Sequence, residues 1–382
     1  MSERISVALG DAIRVKHGFA FSGSQFSEDL SYPTILTPGN FAIGGGFREA
    51  RHKTFTGLVP AEYELHADDL IVTMTDLSKE GDTLGLPALI PTSGKYLHNQ
   101  RIGLVEIVNA HLVDKSFLNF YLRTNRYRAY VLGTATGSTV RHTSPSRIQA
   151  FKASLPPVVE QRAIANVLGA LEDKIIDNTR VVISAWALAK AEFDRLIGSA
   201  RIPTTVGEVL TLEYGKPLPA TDRIAGHVDV FGSGGIVGSH NKAFASGPGV
   251  VVGRKGTAGA VHWAANDYYP IDTTFCVAPE RIEAHSMIFC YFLLNSLRLS
   301  DQNSDSAVPG LNRNEAHAIR TSLPDPESCR RFTTTTMPLI HLAGQADRES
   351  SKLAATRDAL LPQLMSGKLR VRDAEKVLEG VL

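Results

Sequence analysis

Apolar residues recurring every seven positions over 33 residues constrain this chain more than any other feature. Leu168, Ile175, Val182, Ala189 and Leu196 form one line, and Ile164 and Leu171 begin a second that continues through Asn178 and Ala185. Two such lines make a coiled-coil seam. A helix from about Val158 to Ile197 would be roughly 60 Å long at 1.5 Å per residue, too long for a compact core and long enough to hold two domains apart. Pro156 and Pro157 set it up, since the first amides of a helix lack partners anyway. Gly198 and Pro203 end it.

After Thr205 the sequence begins again. VGEVLTLEYGKPLPA, Val206 to Ala220, echoes LGDAIRVKHGFAFSG, Leu9 to Gly23. GVVVGRKGTAGAVHW, Gly249 to Trp263, takes the place of DLIVTMTDLSKEGDTLG, and MIFCYFLLNS that of FLNFYLRTN. SLPDPESCRRF then matches SLPPVVEQRAI, and Phe332, Leu339, Ala346, Leu353 and Leu360 again fall seven apart. This is a tandem duplication. Pro338 must either begin the regular part of this second helix or kink it, and Gly367 stops it.

The second helix starts where the first arrives, so joining their seams requires an antiparallel pair, with the copies related by a pseudo-twofold axis. The expected fold is α+β: two similar heads with mostly antiparallel sheets on a rod of two helices, a dumbbell. The boundaries are 1–154 for the first head, 155–199 for the first helix, 200–323 for the second head, 324–367 for the second helix and 368–382 for a basic tail with a small helix. Asn178 and Ser350 give the seam a polar position, which fixes register at some cost in stability.

Sites of chemistry are hard to find. Cys276, Cys290 and Cys329 are unclustered and contain no C-x-x-C, against both a disulfide framework and a zinc site. The twelve His residues lack H-E-x-x-H spacing, and Ser233 does not lie in G-x-S-x-G. GSGGIVG, Gly232 to Gly238, fits neither a dinucleotide fingerprint nor a P-loop and reads as a turn. Pro324 and Asp325 resemble the start of a nuclease motif that never continues. The N-terminus does not read as a signal peptide, and no apolar run of about 18 residues suggests a membrane span; a reducing cytoplasm is expected.

Charge distribution says more than the net charge of +1. No acidic residue lies between Asp114 and Glu160, a window holding seven positive charges: Lys115, Arg123, Arg126, Arg128, Arg141, Arg147 and Lys152. A second acid-free window, Asp229 to Asp267, holds Lys242, Arg254 and Lys255. One such window in each copy suits an extended polyanion, double-stranded DNA above all, because local charge governs phosphate binding. The loops GSTVRHTS, Gly137 to Ser144, and AVPGLNRN, Ala307 to Asn314, stand in equivalent places. They offer Gly137, Ser138, Thr139, Arg141 and His142 in one head, and Asn312 and Arg313 in the other. Lys79 in one copy and Arg254, Lys255 and Thr257 in the other follow strand-like runs whose glycines would let backbone approach a ligand. Arg101 is a weaker candidate at a strand end.

The order of head, LPPVVEQRAIANVLGALEDKI, head and a second helix ending in ALLPQLMSGKLRV resembles the specificity subunits of type I restriction-modification systems over essentially the whole chain. The paired prolines with Glu160, Gln161, Ile164 and Leu171 look like that family's central conserved region, LLPQLMSGKLRV like its C-terminal one, and LGDAIRVKHGFAFSG like the start of its recognition domains. The resemblance implies a non-catalytic DNA reader. Each head would bind one half of a split target, the helices would set the gap, and Glu160, Gln161, Ile164 and Leu171 would dock modification subunits, two in number. S-adenosylmethionine would come with those subunits, and ATP and Mg with a restriction subunit; the chain itself would bind no cofactor. The second copy has Ser328 and Cys329 in place of Glu160 and Gln161, so the Glu160 end is expected to make the stronger contact. Two other readings stay open: a DNA methyltransferase or nuclease with an unrecognised site, and a coiled-coil scaffold without DNA specificity.

Overall fold

A computed structural model of the chain describes residues 3–49, 53–92, 94–282, 285–302 and 310–381. It divides into two units, Met1–Ile176 with Ser351–Leu382, and Asp177–Ser350. Each contains a head and a stretch of both long helices.

In the first unit, the Ile5–Ala8 strand pairs antiparallel with Lys152–Leu155, bringing the start and end of the head together just before the long helix. Between them lies a four-stranded antiparallel sheet in the spatial order Ile13–His17, Ile102–Ile107, Leu70–Thr73, Pro87–Leu89. Every residue of the Leu70–Thr73 strand is buried, as a strand covered on both faces must be. Three helices pack against this sheet or beside it: α1 (Lys115–Tyr121), α2 (Asn125–Thr134) and α3 (Pro145–Ala150). A smaller five-stranded sheet lies in the same head.

The long helix α4 spans Val158–Ile197, matching the extent of the heptad pattern. The second unit then repeats the first. Ile202–Thr205 pairs with Arg320–Leu323, and the four-stranded sheet runs Leu210–Tyr214, Thr274–Pro279, Gly249–Gly253, Val261–Ala264. That is the strand order of the first head, element for element. Around this sheet lie α5 (Val206–Val209), α6 (Met287–Ser296) and α7 (Arg313–Ala318), the last two occupying the chain positions of α1 and α3. Of Gly232 to Gly238, expected to be a turn, only Ser233 and Gly234 turn; Gly232 ends the Val228–Gly232 strand and Gly235–Gly238 begin its hairpin partner, Gly235–His240.

Helix α8 spans Pro326–Ser366 and passes through Pro338 unbroken. Proline cannot donate to the Thr334 carbonyl, and the four threonines before it add to the local perturbation. Thr333, Thr334, Thr335 and Thr336 each donate a hydroxyl to the carbonyl four residues back, at 2.8–3.1 Å, a habit that bends helices. Gly367, at φ +74°, stops the helix, the left-handed C-cap that only glycine adopts without strain. A final helix α9, Val371–Glu379, packs Ala374 into the first unit's core.

The seam is real in both units. Ile164, Leu168 and Leu171 share a core with Leu353, Leu360 and Leu364. In the second unit Phe193 meets Phe332, and the Asn178 amide donates to Glu349 at 2.8 Å. Advancing along α4 thus means retreating along α8, so the helices are antiparallel. The polar partner of Asn178 is Glu349, next to Ser350.

Candidate nucleic-acid interface

In both heads the chain leaves the third strand of the sheet and meets the segment that precedes a short helix. In the first head, the Met74 amide donates to the Arg101 carbonyl at 2.9 Å and the Thr143 amide to the Met74 carbonyl at 3.0 Å. Thr75–Asp76 pairs with Arg141–His142. Asp76 organises the loop beyond this strand: its buried carboxylate accepts from the Ser78 amide at 2.7 Å and from the Thr83 amide and hydroxyl at 2.5 and 2.6 Å. Burial pushes its carboxyl up, and the Thr83 and Ser78 hydrogen bonds outweigh that and hold it below the ordinary range. The Arg128 guanidinium donates to the carbonyls of Gly81, Asp82 and Leu84, and Arg141 Nε donates to the Lys79 carbonyl at 2.9 Å. The result is a clamped loop with the Lys79 side chain exposed at its surface. Arg101, Lys79, Arg141 and His142 therefore gather at one end of one sheet.

Gly137, Ser138 and Thr139 are exposed beside them. Gly137 has φ +88°, and a Cβ there would collide with the Val140 carbonyl, so this turn requires glycine.

The second head builds the same junction from different residues. The Arg254 and Lys255 amides donate to the Thr273 carbonyl at 2.8 and 3.2 Å, and the Leu311 amide donates to the Arg254 carbonyl at 2.9 Å. Lys255 bridges Gly310. Lys255 and Thr257 are exposed. The guanidinium carbons of Arg254 and Arg313 both lie over the ring of Tyr214, at 5.2 and 5.1 Å from its centroid. Tyr214 is 49% exposed and leans on Phe275. His317 Nε2 accepts from the Leu212 amide at 3.0 Å, anchoring α7 to the sheet; burial and then the Arg313 charge push its pKa down, keeping the imidazole neutral as an acceptor must be.

These hydrogen bonds set the correspondence between the heads, and it differs by two residues from the one the sequence suggested. Thr143 matches Leu311, so Ser144 matches Asn312, and each of the latter pair caps its helix: Ser144 accepts from the Arg147 amide, and Asn312 from the Asn314 and Glu315 amides. Arg313 consequently corresponds to Pro145, not to Thr143, and Arg141 has its counterpart at 309, outside the described residues. Part of the expected second loop, 307–309, lies outside the described residues. The Asn312 carbonyl oxygen is engaged in capping, which leaves less of that side chain for a ligand. The glycine expectation also shifts. At Gly253 the close neighbour is the loop itself, since a Cβ there would collide with the Thr257 carbonyl, whereas Gly256 faces open space.

The basic window of the first head proves to be partly internal. Arg123 is buried, stacked on Phe120 and bonded to Asn119 and Glu172, and Arg128 holds carbonyls. Sequence charge counts could not separate these from surface cations. Tyr214, which no motif marked, is the residue that sequence reasoning missed; an aromatic at a strand end two residues before a Lys was its only trace.

The proposed docking residues need correction. Gln161 is fully buried, its amide donating to the carbonyls of Leu112 and Pro156, both at 2.8 Å, and its oxygen accepting from the Asp114 amide at 2.9 Å. Ile164 and Leu171 are 1% and 0% exposed within the first unit's core. Side chains without accessible surface hold the head to the helix and have nothing to offer a partner. In the second unit Cys329, at the place of Gln161, is equally buried. All three thiols are buried, which pushes them up to about 11, 12 and 11 for Cys276, Cys290 and Cys329, away from reactive thiolates. Among the described residues no group of His, Cys, Asp and Glu could hold a metal ion, and no helix is long and apolar enough to cross a membrane.

No family model matches the chain. The specificity subunit of the type I restriction enzyme EcoBI from Escherichia coli is 27% identical over 176 residues, which cover 46% of this chain and 34% of that relative. The matched region thus spans about a third of the relative's length. The S subunit of a type I restriction-modification system from M. genitalium shares the fold at a TM-score of 0.64 and 15% identity, covering 95% of this chain and 96% of the other. The HsdS subunit from Thermoanaerobacter tengcongensis aligns over 96% of this chain and 97% of its own at 14% identity, with a TM-score of 0.35. In fold over nearly its whole length, and in sequence over nearly half of it, this chain is similar to the specificity subunits of type I restriction-modification systems.

Proposed function

We propose that the chain is the DNA-reading subunit of a type I restriction-modification complex. Each head binds one half of a bipartite duplex target. The loops after the third strand and before α3 or α7, with Arg101 at the adjoining strand end, carry the contacts: Lys79, Arg101, Gly137, Ser138, Thr139, Arg141 and His142 in the first head, and Arg254, Lys255, Thr257, Asn312 and Arg313 in the second. The observation that carries this reading is the recurrence of one hydrogen-bonded junction, with exposed cations, at the same sheet end of both heads. Phosphate contacts from such cations position a protein, and bidentate contacts to base edges specify sequence.

The antiparallel helices set the distance between half-sites and hold modification subunits. With Gln161, Ile164 and Leu171 buried, the docking surface at the start of α4 narrows to Glu160 and its exposed neighbours Val159 and Arg162. Methyl transfer with S-adenosylmethionine, and translocation and cleavage with ATP and Mg, belong to the partner subunits. The test is binding of the chain, assembled with modification subunits, to duplexes selected from a random pool. One split sequence should bind at least about a thousandfold more tightly than shuffled DNA, and binding should weaken steeply with salt. Equal affinity for all duplexes would refute the reading.

A further inference from the structure

Tyr214 and its two arginines form an arrangement that the fold alone does not require. Both guanidiniums lie within about 5 Å of one ring centroid, and among the described residues neither side chain has a carboxylate partner. Like charges gathered on one half-exposed ring repel each other unless an anion or a strong acceptor joins them. Arg254 Nε is buried with no hydrogen-bond partner among the described residues, so the Arg254 side chain is not held by hydrogen bonds of the kind that fix Arg123, Arg128 and Arg141. Its stacking on the ring remains. The Tyr214 ring is itself fixed, because its strand pairs with Thr274–Pro279 in register Tyr214 to Phe275, and the two rings touch at 5.1 Å.

We infer that Tyr214 is a positioning residue of the second head, holding Arg254 and Arg313 as plane-fixed guanidiniums that grip a pair of acceptor atoms on the second half-site. Stacking orients the guanidinium plane, and a fixed plane is what bidentate pairing demands; an ammonium offers a point charge and no plane. Among the described residues the first head has no such device at the corresponding place. His17 occupies the strand end that corresponds to Tyr214, Met74 the place of Arg254 and Pro145 that of Arg313. The heads therefore read their half-sites with different machinery on one scaffold.

This inference rests on the DNA-reading proposal and is tested so that the two can fail separately. The probe is the bipartite duplex selected by the wild-type chain with its modification subunits, and affinity is measured for each half-site after scrambling the other. Tyr214→Phe keeps the ring and should bind as wild type. Tyr214→Leu and Arg254→Lys should each weaken the second half-site about tenfold, the scale of losing one or two cation–π contacts, and leave the first half-site unchanged. Replacing guanines by 7-deazaguanine, or single phosphates by methylphosphonates, in the second half-site identifies the acceptor: whichever change abolishes the difference between wild type and Tyr214→Leu marks the atoms gripped. Unchanged circular dichroism keeps a loss of binding distinct from misfolding. Wild-type affinity for Tyr214→Leu, equal losses in both half-sites, or full activity of Arg254→Lys would overturn the inference while the DNA-reading proposal stands. Absence of any selected sequence with the wild-type chain would overturn the proposal itself.

Discussion

Replacing Glu172 by Gln should destabilise the first unit substantially. Glu172 sits between two arginines: Arg123, whose side chain is 3% exposed, binds both its oxygens, and Arg357 of α8 donates to it at 3.1 Å. Glutamine keeps the shape and removes the charge, leaving Arg123 buried among Phe120 and Asn119 without a counterion. Breaking a buried ion pair from one side costs about 3–5 kcal/mol, and with Glu172 itself 20% exposed the lower end, about 3 kcal/mol, applies. Arg357→Ala should cost much less, about 1 kcal/mol, because its guanidinium is partly solvated. The double change Arg123→Met with Glu172→Met should recover most of the loss, since apolar replacements of a whole buried pair are often neutral. Tryptophan fluorescence is blind to the first unit, because Trp186 and Trp263, the chain's two tryptophans, both lie in the second. Hydrogen exchange of peptides covering α1 and the end of α8 is the suitable assay. Protection in those peptides unchanged by Glu172→Gln, or a double variant as damaged as the single one, would refute the reasoning.

Gln161→Leu should lower stability by about 2–3 kcal/mol, by stranding the Leu112 and Pro156 carbonyls and the Asp114 amide, while leaving partner binding by the folded fraction unchanged; urea unfolding followed by hydrogen exchange checks the first part, and loss of partner affinity without loss of stability would contradict it. Asp76 gives the Lys79 loop a pH dependence. Its folded pKa lies below its ordinary 3.8, so its contribution is fully present above that value and is lost as pH falls through the lower folded value. Exchange protection of residues 76–84 should therefore drop in that acid window, and in Asp76→Asn it should be low at all pH. Inserting one heptad into both α4 and α8 should lengthen the gap between half-sites by about 10 Å, or about three base pairs, with both half-sites unchanged; altered half-sites with a constant gap would count against the helices as a spacer.

The long-range plan was legible because it rests on periodicity and repetition. The seven-residue lines gave α4 its span, and repeated phrases such as SLPP and SLPD anticipated the matching strand order of the heads. Local chemistry was less legible wherever a side chain's partner lies far away in sequence. Gln161 looked like a surface residue until the Leu112–Asp114 segment arrived beside it, and Arg123 and Arg128 counted as surface charge until the Glu172 carboxylate and the Gly81 carbonyl claimed them. Tyr214 acquires its meaning only when strand pairing and the Leu311 junction bring Arg254 and Arg313 to one ring. The two-residue shift between loops was recoverable: Ser144 before Pro145 and Asn312 before Arg313 are both helix N-cap signals, and aligning on them gives the observed correspondence. Pro338 leaves the helix continuous, since packing of Phe332, Ile340 and Ala343 holds it through a residue whose intrinsic preference opposes it.

Sequencing the methylated sites of a host that expresses this chain together with a modification subunit tests the central claim most directly. Two short specified runs separated by a gap of constant length and free sequence are expected, with Arg254→Ala altering only one run. A single uninterrupted motif, or no motif dependent on this chain, would contradict the account.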